Sequence, residues 1–285
     1  MDWRDPPALP LGDVIAAAVD WVNTHARDGF DAVAETLEGV IEGVTDGLLW
    51  LHPLVAIAGF ALLAGLLHRS WRLPLVVAAS FALILNLGYW RETVETLALV
   101  LIATFFCMAL GVPTGIVAAH RRWVYAAIRP VLDLMQTIPP FVYLIPTLIL
   151  FGLGVVPGLI STIIFAIPAA IRLTHLGVAS VPTQLVEAAD SFGATRWQRL
   201  VKIELPHALP TILAGLTQCI MLSLSMVVIA ALVGADGLGE PVVRALNTVN
   251  IAMGFEAGLA IVILAILLDR IVRLPGRRAK AGPAR

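Results

Sequence analysis

Seven apolar runs, at about 48–67, 73–90, 93–119, 138–156, 158–177, 210–233 and 255–272, decide most of what this chain can fold into. Roughly 20 apolar residues in a helix cross the hydrocarbon of a bilayer. Lipid offers the backbone no hydrogen-bond partner, and a helix satisfies its own. The runs therefore predict an all-α membrane protein with about seven transmembrane helices. Composition agrees: 59% of the residues are hydrophobic and 14% charged, too few charges to coat a soluble domain of 285 residues. The first run begins near Leu48, so no cleaved leader is expected. Pro146 and Pro168 interrupt runs where neighbouring helices can cover the freed carbonyls. Cys107 and Cys219 both lie in apolar runs and read as small buried hydrophobes.

Charge sets the orientation. If the chain enters the first run from outside, 15 of the 19 Lys and Arg residues fall on cytoplasmic segments, leaving Arg4, Arg27, Arg91 and Arg244 outside. Positive loops stay inside, so the N-terminus is expected outside and the C-terminus in the cytoplasm. The reading divides the chain into an outer segment (1–47), two first spans (48–92), a core (93–272) with a cytoplasmic loop at 181–210, and a basic tail (273–285). In the outer segment, Leu11, Val14, Ile15, Ala18, Val19 and Val22 repeat at helical spacing, as do Phe30, Val33, Leu37, Val40, Ile41 and Val44. Asp31, Glu35, Glu38, Glu42 and Asp46 take the opposite face of the second stretch. This predicts an amphipathic helix pair split near Asp28-Gly29. It either packs along the outer rim of the protein or lies on the membrane surface; its acids favour the rim, because anionic lipid attracts Lys and Arg.

The runs carry no chemistry of their own. Their charged residues, Glu95, Arg172, Glu256 and Asp269, stand near span ends, so an ion-coupled carrier lacks its usual midplane acid or base. There is no His-Glu-x-x-His, no Gly-x-Ser-x-Gly, and neither Lys202 nor Lys280 follows a glycine-rich phosphate loop. No enzymatic activity, metal site, cofactor or nucleic-acid partner is expected of the chain. If ATP drives it, another chain binds the nucleotide. The outer segment Gly234–Gly239 is glycine-rich but follows no strand, and reads as a turn before an amphipathic stretch at 241–250.

The loop at 181–210 is the most distinctive segment. Leu185, Ala188, Ala189 and Phe192 form a short apolar stripe, and Gly193 suits the left-handed residue that ends a helix. Thr195 with Gln198 three residues on is a capping box that starts another. Pro206 is expected to end that second helix before the next span, leaving two short helices at a bend.

Glu187-Ala188-Ala189, Gly193 and Ile203-Glu204-Leu205-Pro206 together resemble the EAA loop in permease subunits of binding-protein-dependent ABC importers. The likeness runs from about Glu92 to Arg273. Asp133–Pro146, Leu222–Ala230 and Ile261–Arg270 resemble the glycine betaine/proline betaine/choline branch. The amphipathic start is similar to the scaffold helices of betaine and choline importers. Pro139-Pro140 departs from the single proline of that pattern, which leaves the helix start there open.

The resemblance implies a type I ABC importer permease fold in a bacterial inner membrane, with a second permease copy, an ABC ATPase subunit carrying ATP-Mg, and an extracytoplasmic substrate-binding protein as partners. It implies that Glu187, Ala188, Ala189, Gly193, Leu205 and Pro206 form the surface that couples to the ATPase. The small alanines would allow close approach, Gly193 would fix the bend, and Glu187 would pair with a basic group. For the translocation path, Gln136 and Thr137 are polar candidates; Phe141, Tyr143 and Trp90 offer aromatic faces to a quaternary ammonium group, or else face lipid. The implied substrates are glycine betaine, proline betaine, choline or carnitine; a permease for another small polar solute, such as an amino acid, is the alternative.

Overall fold

The computed structural model describes residues 10–68 and 71–272, and the basic tail at 273–285 lies outside them. Within this range the chain is helical, without strands: α1 (Leu11–Leu49), α2 (Pro53–His68), α3 (Arg72–Asn86), α4 (Trp90–His120), α5 (Arg122–Thr137), α6 (Pro140–Phe151), α7 (Val155–Ala179), α8 (Thr183–Ser191), α9 (Arg196–Arg199), a π-helical turn (Leu200–Glu204), α10 (Leu205–Ala231), α11 (Gly239–Thr248) and α12 (Ile251–Val272). Each of the seven apolar runs carries a helix. Four helices are long and apolar enough to cross a membrane alone: α4, α7, the continuous unit Arg196–Ala231, and α12. The bent pairs α1–α2 and α5–α6 raise the total to six when each is taken as one span. By length the structure thus gives four to six spans against the seven expected. The difference lies in α2, α3 and α6, which have 16, 15 and 12 residues.

The centre of the molecule is the contact of α4, α7 and α10, and small residues make it close. At Gly115 on α4, a Cβ would come within 2.7 Å of the Ile171 carbonyl oxygen on α7, so only glycine lets the backbones meet. In lipid this close packing, rather than exclusion of water, holds helices together. Cys107 and Cys219 are free thiols in the same buried cluster as Ala166, Ala169 and Ala170, as the sequence reading expects. A second cluster joins α2, α3, α4 and α12 through Val77, Phe81, Ile84, Trp90, Leu97 and Leu264.

The outer segment forms one helix, α1, with a kink at Ala26 (φ −126°, ψ 16°), two residues before the expected split at Asp28-Gly29. After the kink, Leu37, Ile41 and Val44 pack against Ile102, Ala103 and Leu159, and the Phe30 ring meets Phe151 edge-on at 5.2 Å. Its acidic face remains exposed, and Glu38, Glu42 and Asp46 line a groove of about 510 Å³ with Arg91, Glu95 and Asp236. Before the kink, Val14, Ile15 and Trp21 are exposed. The glycine-rich turn at 234–239 docks on α4, where the Leu238 amide donates to Thr96 Oγ1 at 2.8 Å, and its Gly234 and Asp236 complete the lining of that groove.

Candidate functional site

The loop between α7 and α10 stands at the opposite end of α4 from that groove. α8 closes on a left-handed residue: Gly193 has φ +73°, the Ala194 amide donates to the Ala189 carbonyl at 3.0 Å, and the Gly193 amide to the Asp190 carbonyl at 3.0 Å. These two bonds are the paired closure that stops a helix at a glycine. No atom lies within 4 Å of where a Gly193 Cβ would stand, so backbone conformation alone, not space, selects glycine. Two residues on, Thr195 caps α9. The Gln198 amide donates to Thr195 Oγ1 at 3.3 Å, and the Thr195 amide donates to Gln198 Oε1 at 2.9 Å.

Exposure divides this surface. Glu187 and Ala188 are exposed, while Ala189 is buried and holds α8 in place. Phe192, at 91% exposed, and Trp197, at 71%, present large apolar faces left uncovered by the described residues. A groove of about 670 Å³ beside them is lined by Ile116, His120, Arg121, Arg196, Trp197 and Arg199. The loop is therefore a mixed surface, with apolar Phe192 and Trp197 and several arginines beside the exposed Glu187 and Ala188. Leu205 is turned inward instead, against the cluster of Val178, Ala208 and Ile212.

The expectation that Pro206 ends the second helix is corrected by the structure. α9, the π turn and α10 form one helical unit of 36 residues, Arg196–Ala231. Through the π turn the bonding shifts to i→i+5, with the Leu205 amide donating to the Leu200 carbonyl. This wider turn accommodates a proline that cannot donate and whose ring would clash in an ordinary helix interior. The second half of the loop is therefore the rigid root of a span, not a detached surface helix.

Around the same π turn four side chains meet, and of these sequence reasoning names only Glu204, as part of the Ile203–Pro206 motif and without a partner. Glu204 is buried, with 4% exposed. Its Oε1 accepts from Arg199 Nε at 3.0 Å, and its Oε2 lies 2.8 Å from His120 Nε2, at the end of α4. Arg199 also donates from Nη1 to both Asp190 oxygens at 3.2 Å, tying in α8. Breaking a buried ion pair by removing one partner typically costs on the order of 3–5 kcal/mol. The signal available in the sequence is a glutamate flanked by Ile203 and Leu205, which demands a partner; nothing local says that the partner is His120, 84 positions away.

The path candidates fall at the α5–α6 bend, apart from Trp90. Gln136, Thr137 and Phe141 are exposed there, and Thr137 Oγ1 donates to the Asp133 carbonyl at 2.9 Å. Tyr143 is partly buried, and its hydroxyl donates to the Met135 carbonyl, closing the end of α5. Trp90 is buried in the core against Phe81, with ring centroids 6.1 Å apart, and lines no open surface. α5 is held on α7 by Arg172 Nη2 donating to Asp133 Oδ1 at 2.6 Å and by the stacked rings of Tyr125 and His175, 3.8 Å apart. Among the described residues no group of His, Cys, Asp and Glu is arranged to hold a metal ion.

This architecture is that of a membrane subunit in an import system. Residues 111–281 match the family described as the inner membrane component of binding-protein-dependent transport systems, and the chain belongs to that family. The glycine betaine transport system permease protein OpuAB of Bacillus subtilis is 46% identical over 94% of each chain. The glycine betaine/carnitine transport permease protein GbuB of Listeria monocytogenes is 42% identical over 96% of this chain and 98% of its own. ProW of Escherichia coli, a glycine betaine/proline betaine transport system permease protein, is 44% identical over 96% of this chain and 77% of its own. Among solved structures, the MetNI methionine ABC transporter in an inward-facing conformation matches with a TM-score of 0.58 at 25% identity, over 65% of this chain and 94% of that one.

Proposed function

We propose that this chain carries quaternary ammonium compounds (glycine betaine, proline betaine, choline or carnitine) across the bacterial inner membrane, driven by ATP hydrolysed on a partner subunit. The observation that carries the substrate class is identity of 42–46% over nearly the whole chain to permeases named for glycine betaine. In this reading two permease copies pair with two ATPase subunits, which hold ATP-Mg, and an extracytoplasmic binding protein delivers the substrate. Seven crossings, α2, α3, α4, the α5–α6 pair, α7, α10 and α12, put the N-terminus outside and the C-terminus inside, supported by the 15-to-4 distribution of basic residues.

The exposed Glu187, Ala188, Phe192 and Trp197 dock on the ATPase, with Ala189 and Gly193 fixing their angle. Because Arg196–Ala231 is one helical unit, tilting the docked loop tilts the α10 span with it. A switch between two packed arrangements, each favoured by a different ligand, needs such a rigid element. Gln136, Thr137 and Phe141, exposed at the α5–α6 bend, line the path between the two copies.

The test is reconstitution of the chain with its ATPase and binding protein in proteoliposomes, measuring uptake of labelled glycine betaine, choline, carnitine and methionine. ATP-dependent uptake of one or more quaternary ammonium compounds, and none of methionine, is expected. Uptake without the ATPase, or of methionine alone, would overturn the proposal.

A further inference from the structure

We propose that His120 and Glu204 form a proton-dependent strut that carries movement of the coupling loop into α4. The inference rests on the coupling role given above to the loop, and adds a second route out of it. α10 is reached directly, through a continuous helix; α4 is reached only through side chains.

The chain of contacts is complete from one element to the next. Asp190 on α8 accepts from Arg199, Arg199 donates to Glu204 in the π turn, and Glu204 meets His120 on the last turn of α4. The π turn carries a buried acid at the root of a span, and turns of this kind recur at functional sites.

Both ring nitrogens of His120 face acceptors. Nδ1 lies 2.9 Å from the Ile116 carbonyl oxygen, and Nε2 lies 2.8 Å from Glu204 Oε2. A neutral imidazole has one N–H and can satisfy one of these. The second contact needs one more proton, either on the ring as imidazolium or on Glu204 as the donor to Nε2. The linked arrangement therefore binds one proton more than neutral histidine plus carboxylate, and raising the cytoplasmic pH works against it. The charged groups that face the ring or its groove are Glu204 in the π turn, Arg121 just past the end of α4, and Arg196 and Arg199 on α9, with Asp190 on α8 behind Arg199. His120 and Glu204 are positioning residues: neither touches substrate or nucleotide.

The experiment measures substrate moved per ATP hydrolysed by the complete transporter in proteoliposomes, with labelled glycine betaine and with pH set on the ATPase side. The wild type, His120→Gln, Glu204→Gln and Gly193→Val are compared from about pH 6 to about pH 8.5, a range that brackets ordinary histidine titration. Glutamine at 120 keeps a donor toward Glu204 but holds no titrating proton. The wild-type ratio should fall as pH rises, and His120→Gln should flatten that profile. Glu204→Gln, at normal membrane levels, should lower the ratio about fivefold or more, the low end of a typical coupling energy. A flat wild-type profile, an unchanged profile in His120→Gln, or an unchanged ratio in Glu204→Gln would overturn the strut. If Gly193→Val uncouples while both strut variants match the wild type, the strut alone falls. If Gly193→Val stays fully coupled, the coupling role of the loop falls, and the strut with it.

Discussion

Two junctions in this chain are built around proline, one before α6 and one at the root of α10, and the backbone treats them in opposite ways. At Ile138-Pro139-Pro140 the helix stops. Ile138 (ψ 130°) and Pro139 (ψ 135°) are extended, and α6 leaves α5 at 98°. At Leu205-Pro206 both Glu204 (ψ −50°) and Leu205 (ψ −46°) stay helical, and the helix runs on into the membrane. A residue before proline normally avoids the helical region. What separates the two is the turn upstream. The π turn widens the helix ahead of Pro206 and carries it through, whereas α5 ends in an ordinary turn whose last carbonyls take the Tyr143 hydroxyl as a cap. Proline therefore makes a hinge at one junction and leaves a lever intact at the other. The lever is the one that joins the loop proposed to dock on the ATPase to a span.

The largest effect should come from removing the device that separates the two junctions. Deleting Val201 would take the extra residue out of the π turn and rotate the residues before it by about 100° relative to α10. Arg199 would then face away from Glu204, and the docked surface would point elsewhere. Uptake should fall about tenfold or more, well within the range of coupling energies, with the protein still present in the membrane. Normal uptake in labelled-betaine assays would show that the π turn is dispensable.

How much of this was legible follows from the range of the signals. Gly193 and the Thr195–Gln198 box are local, since a left-handed residue and a reciprocal cap are written in a few consecutive positions, and both stand where the sequence put them. The apolar runs are equally local, and each carries a helix. The π turn has no compositional signature, so Pro206 reads as a helix end by its own chemistry. His120 and Glu204 meet because α4 and α10 pack on each other and on α7, which no pattern in either segment records. By residue type Tyr143 and Trp90 read as aromatic faces toward substrate or lipid. The structure uses one as a cap and the other as core, because each has a neighbour within reach that the sequence does not show.

At the bent junction a smaller change is expected. Tyr143→Phe removes the hydroxyl that closes α5 and leaves the ring in place. One hydrogen bond is worth about 1 kcal/mol, so the thermal midpoint in detergent should fall by a few degrees. An unchanged midpoint would mean the bend is held by Pro139-Pro140 alone. The smallest effect belongs to Pro206→Ala at the unbent junction. The helix already passes through this position, so uptake should stay within about twofold of wild type, as for a substitution that shifts stability by less than about 0.5 kcal/mol. A large loss there would make Pro206 a hinge after all and erase the contrast between the two junctions.

The proposed transmission through the loop depends on a fixed angle, and Gly193 sets that angle. Gly193→Val places a β-branched residue at φ +73°, a conformation that costs such a residue roughly 1–2 kcal/mol or more, in a loop outside the spans. Uptake of labelled glycine betaine and ATP hydrolysis should be measured together in the same reconstituted membranes, for wild type and Gly193→Val at equal protein levels. The variant should insert normally and lose uptake while the ATPase either detaches or hydrolyses ATP without transport. Wild-type uptake per ATP from the Gly193→Val protein would contradict it.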